Sequence, residues 1–337
     1  MTIDGDHADR LAPLRWGIIG TGGIAARFAA DLRLLDEAEL VAVGSRSQAA
    51  ADSFGEQFGA ARRHPSYADL VADPDVEAVY VSTPHPGHHD ATVLALEAGK
   101  AVLCEKPFMI NAREADHVIG LARQRGLFLM EAMWTRFLPH MVRVRQLLDS
   151  GVLGEIRTVH ADHGQWFEPD PSHRLFDPAL GGGALLDLGV YPVSFASFVL
   201  GDPARVTAVS DPAFTGVDGQ TSVLLQYPDG AHAVLTTTLW AAGPNRAAVV
   251  GTRGRIEIDG TWYAPTTFTV LSRDDQVVER YQVPRVGHGL RYQAAEVARC
   301  VRAGRTESAV MPLDETSTIM ATMDEVRRQI GLAYPGE

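Results

Sequence analysis

The chain has 337 residues, of which 46% are hydrophobic and 21% charged, and a formal net charge of −12. This is an ordinary globular composition, long enough for two domains. The acidic balance and the lack of any basic block argue against nucleic acid and anionic membrane surfaces as partners.

Met1 to Arg15 is polar, without an apolar signal core, and is expected to be a loose tail. No apolar run is expected to be long enough to span a bilayer. The two cysteines, Cys104 and Cys300, form no CxxC pair. That spacing disfavours a disulfide framework or a thiolate metal site and suits a reducing, cytoplasmic setting.

Residues 16–19 read as a short apolar strand. Gly20-Thr21-Gly22-Gly23-Ile24-Ala25 follows at once, then a helical face of Ile24, Phe28, Leu32 and Leu35. Strand, glycine turn and helix together are the context for dinucleotide binding. Gly20 allows the turn, Gly22 lets backbone approach a pyrophosphate, and small Ala25 lets helix and strand pack closely. The pyrophosphate then sits on the N–H groups of the helix N-terminus.

The second strand, residues 40–44, ends in Ser45-Arg46-Ser47, where an NAD site normally carries an acidic residue. An arginine flanked by hydroxyls suits a 2′-phosphate, so NADP is expected over NAD. A strand over 76–82 ends in Thr83-Pro84-His85-Pro86-Gly87-His88-His89. These histidines lack the converging partners that a zinc site needs, so no metal is expected. A helix over 90–98 precedes the strand 101–104, which delivers Glu105-Lys106-Pro107 to a strand end, where ligands of open α/β sheets collect. A helix over 112–125 and a strand over 127–133 complete a βα alternation that predicts a parallel sheet.

The rhythm then changes. A helix over 141–150, a strand over 156–167 and a polar loop over 169–180 lead to Gly181-Gly182-Gly183, which opens an apolar helix through residue 200, broken at Pro192. Asp187 and Tyr191, four apart, share a helix face. Strands over 205–209, 220–227, 232–240, 247–251, 255–259 and 268–272 predict a largely antiparallel sheet, followed by helices over 290–303 and 313–331, the last capped near Asp314. The fold class is therefore α/β: a Rossmann domain over 1–136 and an α+β domain with a large open sheet over 137–337.

Four stretches together resemble the Gfo/Idh/MocA oxidoreductases: the glycine loop, Thr83-Pro84 with His88, Glu105-Lys106-Pro107, and residues 181–192. Met130 to Pro139, Ser45-Arg46 and Tyr191 resemble most the branch of dimeric dihydrodiol dehydrogenases and NADP-dependent D-xylose dehydrogenases. The resemblance implies hydride transfer between NADP and a hydroxyl or carbonyl carbon of a sugar, polyol or cyclic diol. The alternatives are an NAD-dependent inositol or deoxysugar dehydrogenase and a non-catalytic NADP-sensing regulator. It also implies a homodimer or homotetramer formed through the C-terminal sheet.

In that frame the cofactor contacts are Gly20, Thr21, Gly22, Gly23, Ile24, Ser45, Arg46, Thr83, Pro84, His88, Glu105 and Lys106. Tyr191 is the expected acid/base, with Lys106 lowering its pKa from the phenol reference of about 10. Asp187 orients substrate or Lys106. Trp134, Trp166 and Phe167 are expected to wall an apolar pocket, and Arg136 to contact substrate or form a salt bridge at the domain boundary.

Overall fold

The computed structural model describes residues 12–284 and 286–337. Most of the expected tail lies outside the described residues, but Leu14 and Arg15 already belong to the first strand. Six strands form one parallel sheet: β1 (Leu14–Ile19), β2 (Ala38–Gly44), β3 (Arg62–His64), β4 (Ala78–Val81), β5 (Ala101–Cys104) and β6 (Leu129–Glu131). Helices α1 (Gly23–Leu32), α2 (Gln48–Phe58), α3 (Tyr67–Ala72), α4 (His88–Glu97) and α5 (Ala112–Arg125) link them. The strand order is β3-β2-β1-β4-β5-β6. β4 and β5 are buried at every position, as strands covered on both faces must be. The order reverses between β1 and β4, which opens a crevice at their carboxyl ends. β3 carries only Arg-Arg-His and has no apolar signal; its pairing with β2 makes it a strand.

The second sheet has eight strands: β7 (Ile156–Gly164), β8 (Arg205–Pro212), β9 (Asp218–Gln226), β10 (His232–Thr238), β11 (Ala247–Gly251), β12 (Gly254–Ile258), β13 (Phe268–Ser272) and β14 (Val277–Tyr281). Two antiparallel meanders, β8-β9-β10 and β11 through β14, are joined by β7, which pairs antiparallel with β11 and parallel with β10. β14 was not foreseen, because it is an exposed edge strand without clean alternation. The remaining helices are α6 (Pro139–Asp149), α7 (Val190–Leu200), α8 (Arg291–Arg302) and α9 (Leu313–Ile330).

Two expectations need correction. The segment Pro178–Leu200 is, by length and mean hydropathy of 1.6, apolar enough to cross a membrane, yet 83% of it is buried inside the fold. It is the core helix beneath the second sheet. Asp314 does not cap α9, whose N-cap position is Pro312, without a side-chain cap; Asp314 instead accepts from Arg123 of α5 at 2.7 Å.

α8 and α9 return to the first sheet. Leu313 and Met320 of α9 enter the core on one of its faces. Asp31 of α1, almost wholly buried, accepts N–H bonds from His288, Leu290 and Arg291 at the start of α8, at 2.8, 2.7 and 3.3 Å.

Candidate active site

A single cleft of about 740 Å³ runs along the carboxyl ends of β1, β2, β4 and β5 and under the second sheet. Gly20 at its edge has φ +97°, and a Cβ there would stand 3.0 Å from the Ser82 carbonyl oxygen, so the fold itself needs glycine. Gly22 differs. Its backbone is ordinary (φ −78°, ψ −179°), and nothing lies within 4 Å of where a Cβ would project, nor at Gly23. α1 begins there without any side-chain cap, leaving N–H groups for an anionic ligand. Thr21, Ile24, Thr83 and Pro84 line the same wall. At the end of β2, Ser45 is buried and Arg46 exposed, and Arg46 has no ion-pair partner among the described residues.

Glu105 and Lys106 follow β5, with a cis peptide at Lys106-Pro107. Glu105 accepts a short hydrogen bond from the Tyr80 hydroxyl and the Lys106 N–H at 3.2 Å. Burial pushes its carboxyl up to about 7. His88 sits between the neighbouring loops, with Nδ1 2.9 Å from the Pro107 carbonyl and Nε2 3.0 Å from the Thr83 carbonyl; burial pushes it down to about 4, and a neutral ring donates to one of the two.

Asp187 and Tyr191 reach the cleft from the helix beneath the second sheet. Here the helix contains a π-helical turn, Leu185–Gly189, directly before α7. Pro192, expected to break the helix, sits inside α7 instead. It has no N–H to give to the Leu188 carbonyl in the α register or to the Asp187 carbonyl in the π register. Side chains take both. Lys106 Nζ donates to the Asp187 carbonyl at 2.9 Å, and His163 Nδ1 lies 3.2 Å from the Leu188 carbonyl. The proline thus withholds one N–H at this turn, and the two carbonyls it could have served each meet the side chain of a cleft residue.

The Asp187 carboxylate is saturated. Lys106 Nζ donates to it at 3.3 Å, the Arg174 guanidinium at 3.1 and 3.2 Å, and His85 Nε2 lies 3.5 Å away. Burial opposes its charge, but Lys106, His85 and Arg174 hold it well below the usual carboxylate range. Burial likewise opposes the Lys106 charge, yet Asp187, Tyr191 and Glu105 raise it above an ordinary lysine. Lys106 Nζ stands 4.9 Å from the Tyr191 ring centroid. Tyr191 itself departs from expectation: burial outweighs the ammonium and raises the phenol above its ordinary value. Trp134 Nε1 donates to the Tyr191 oxygen at 2.8 Å, leaving the phenolic proton free for the cleft.

Three expected pocket residues lie elsewhere. Arg136 is buried and donates to Glu315 at 2.7 Å and to Ser194, so it is the boundary salt bridge of the two expected roles. Trp166 is 59% exposed and forms a bridge with Trp240. Phe167 packs in a satellite core with Phe176 and Leu239. The aromatic and polar wall is made instead by His163, Gln165, Tyr263 and Arg174, with His85 behind Asp187. None sits in a motif. Arg174 and Gln165 lie in polar stretches, and Tyr263 is nearly a hundred residues further along the chain. Their one available signal was polarity near a strand's carboxyl end.

Comparison with known proteins agrees with this geometry. Residues 14–133 match the model of the oxidoreductase family with an NAD-binding Rossmann fold, and residues 141–257 match the GFO/IDH/MocA C-terminal domain. The chain is 39% identical to trans-1,2-dihydrobenzene-1,2-diol dehydrogenase of Bos taurus, covering 96% of this chain and 98% of that one. The Homo sapiens protein of that name is also 39% identical, with the same coverage. Among solved structures, a 3-ketoreductase from Actinomadura kijaniata in complex with NADP and TDP-benzene has a TM-score of 0.84 at 31% identity, covering 94% of this chain and 98% of that one. An aldose-aldose oxidoreductase from Caulobacter crescentus complexed with glycerol has a TM-score of 0.86 at 28% identity, covering 94% and 97%. A glycine cradle on one wall of the cleft, a lysine–carboxylate–tyrosine set on the other, and matches across nearly the whole chain lead to one conclusion: the chain belongs to the Gfo/Idh/MocA family of NAD(P)-dependent oxidoreductases acting on CH–OH groups.

Proposed function

We propose that the protein moves a hydride between NADP and a CH–OH carbon of a small sugar, polyol or cyclic diol, with Tyr191 as acid/base. The carrying observation is that Lys106, Asp187 and Tyr191 meet the glycine loop in one cleft although they come from two sheets. The cradle fits the cofactor: Gly22 and Gly23 leave open space where side chains would project, and the α1 N-terminus is uncapped. Bound NADP supplies the carbon that gives or takes the hydride. Exposed Arg46 beside Ser45, with no carboxylate at the end of β2, supports NADP over NAD.

Tyr191 keeps its proton at neutral pH and so is set to protonate a carbonyl oxygen; in the reverse direction it takes the hydroxyl proton. Lys106, held charged by Asp187, donates to the same substrate oxygen. Asp187, already saturated, positions Lys106 and does not reach for substrate. The names of the similar proteins, a dihydrodiol dehydrogenase, a 3-ketoreductase and an aldose-aldose oxidoreductase, favour hydroxylated rings as substrates. In this reading the N-terminal unit, up to residue 136, holds the cofactor, and 137–337 carries the substrate side and the pairing surface. Outward-facing Val209 and Val234 on the second sheet support pairing of two or four copies, which the molar mass measured by light scattering tests. Two buried free cysteines suit a cytoplasmic setting.

The test is a panel of aldoses, polyols, keto-sugars and cyclic trans-diols, assayed with NADP and with NAD by nicotinamide absorbance. Turnover with NADP on at least one hydroxylated ring is expected. No turnover in either direction with either cofactor would sink the assignment.

A further inference from the structure

We infer that Gln165 determines specificity: its amide oxygen accepts a hydrogen bond from a second substrate hydroxyl, vicinal to the reacting carbon. This deepens the function proposed above and rests on it.

The orientation of Gln165 follows from a chain of hydrogen bonds that starts at Pro192. Pro192 leaves the Leu188 carbonyl without its helical donor. His163 Nδ1 lies 3.2 Å from that carbonyl and must carry the hydrogen, since a carbonyl only accepts. Burial and the nearby Lys106 push His163 down to about 3, so the ring is neutral and its second nitrogen is an acceptor. Gln165 Nε2 lies 2.8 Å from His163 Nε2 and therefore donates to it. The same amide nitrogen also faces the Tyr263 hydroxyl at 3.4 Å. Both amide hydrogens are thereby committed, and the amide cannot flip without setting an oxygen against a lone pair. Its oxygen points away from this network and meets no donor among the described residues.

Gln165 stands on the Tyr191 side of the cleft. Gln165 lines the cleft, and the rings of its two partners stand 5.1 and 5.2 Å from the Tyr191 ring, centroid to centroid. The other acceptors on this wall are taken. The Asp187 carboxylate serves Lys106, Arg174 and His85, and the Tyr191 oxygen serves Trp134. The wall is rich in donors, and among the described residues the Gln165 oxygen is the one side-chain carboxylate or amide oxygen lining the cleft that has no donor. A lone alcohol needs only Tyr191 and Lys106. A vicinal diol, or a sugar with a hydroxyl next to the reacting carbon, brings a second O–H that must find an acceptor once water is excluded, and a site built to bond a hydroxyl rejects the analogue that lacks it.

The experiment measures kcat/KM with NADP for two matched pairs: trans-cyclohexane-1,2-diol against cyclohexanol, and D-glucose against 2-deoxy-D-glucose. The wild type is compared with Gln165→Met, which keeps length and volume, and NADP affinity checks that the variant is folded. The expected result is that the ratio of the vicinal diol to its deoxy partner falls roughly tenfold in the variant, the loss of one hydrogen bond. An unchanged ratio, whether both rates fall together or neither moves, would mean that Gln165 only braces His163 and Tyr263, and overturns the inference. If the wild type turns over none of these four, the matched pair is taken from whichever hydroxylated ring the panel above shows to be a substrate; if that whole panel is inactive, the proposed function itself fails and this inference falls with it.

Discussion

The two walls of the cleft are built from different material. The wall at the carboxyl ends of β1 and β2 is mostly backbone: a glycine turn, an uncapped helix end and two short polar side chains leading to Arg46. It is contiguous in the chain, and its key feature is missing atoms, since open space replaces side chains at Gly22 and Gly23. The facing wall is a side-chain network in which Lys106, His163, Gln165, Arg174, Asp187, Tyr191 and Tyr263 hold one another from separate elements. Backbone walls recognise what a whole cofactor class shares, a pyrophosphate. Side-chain walls set charge and proton position, which decide the chemistry and the substrate.

The sharpest way to break this contrast is Tyr191→Phe. Turnover should fall by roughly 10²- to 10⁴-fold, while NADP titration by fluorescence shows the backbone wall unaffected. Turnover near wild type would remove Tyr191 from proton transfer. The pH profile carries the same message. With the phenol raised above its ordinary value by burial, oxidation needs Tyr191 to lose a proton first, so kcat/KM for oxidation should climb across the alkaline range and still be rising where an ordinary phenol would have titrated. Reduction uses the protonated phenol and should stay flat across neutral pH. An oxidation profile already flat from pH 7 would mean a different base.

Arg46→Ala should weaken NADP by roughly ten- to a hundredfold, the worth of a charge-assisted bond, and leave NAD almost untouched. Equal losses would show that Arg46 does not meet the 2′-phosphate. Gly22→Ala separates ligand need from fold need. Its φ suits alanine and its surroundings are open, so urea midpoints should hardly move, while cofactor affinity drops about tenfold through overpacking against the bound group. Unchanged affinity would mean that the cofactor does not approach there. The smallest effect concerns the joint between the walls. Asp31→Ala strips the acceptor from three N–H groups where α8 starts and should cost about 1–3 kcal/mol of stability by urea unfolding.

Much of the first sheet was legible because buried parallel strands are continuous apolar runs and α5 carries its own caps, Asn111 and Gly126. β3 and β14 were not, since an edge strand takes its conformation from its neighbour rather than from its own side chains. In the site, motif residues were found and context residues were not. Arg136, Trp166 and Phe167 have suitable side chains in a suitable stretch, but Arg136 is buried against Glu315, Phe167 packs in a satellite core, and Trp166 is exposed where its backbone pairs with Trp240.

What the order of residues decided alone is whatever depends on local geometry: a glycine turn before a helix, a proline that withholds an N–H, an arginine where a carboxylate would repel phosphate. What only the folded chain decided is the electrostatic state of the site. A lysine near a tyrosine on paper suggests a lowered phenol. In the cleft, desolvation outweighs that ammonium, whose charge is shared with Asp187, and the phenol keeps its proton. Desolvation is set by everything packed around a group, and no spacing between two residues encodes it.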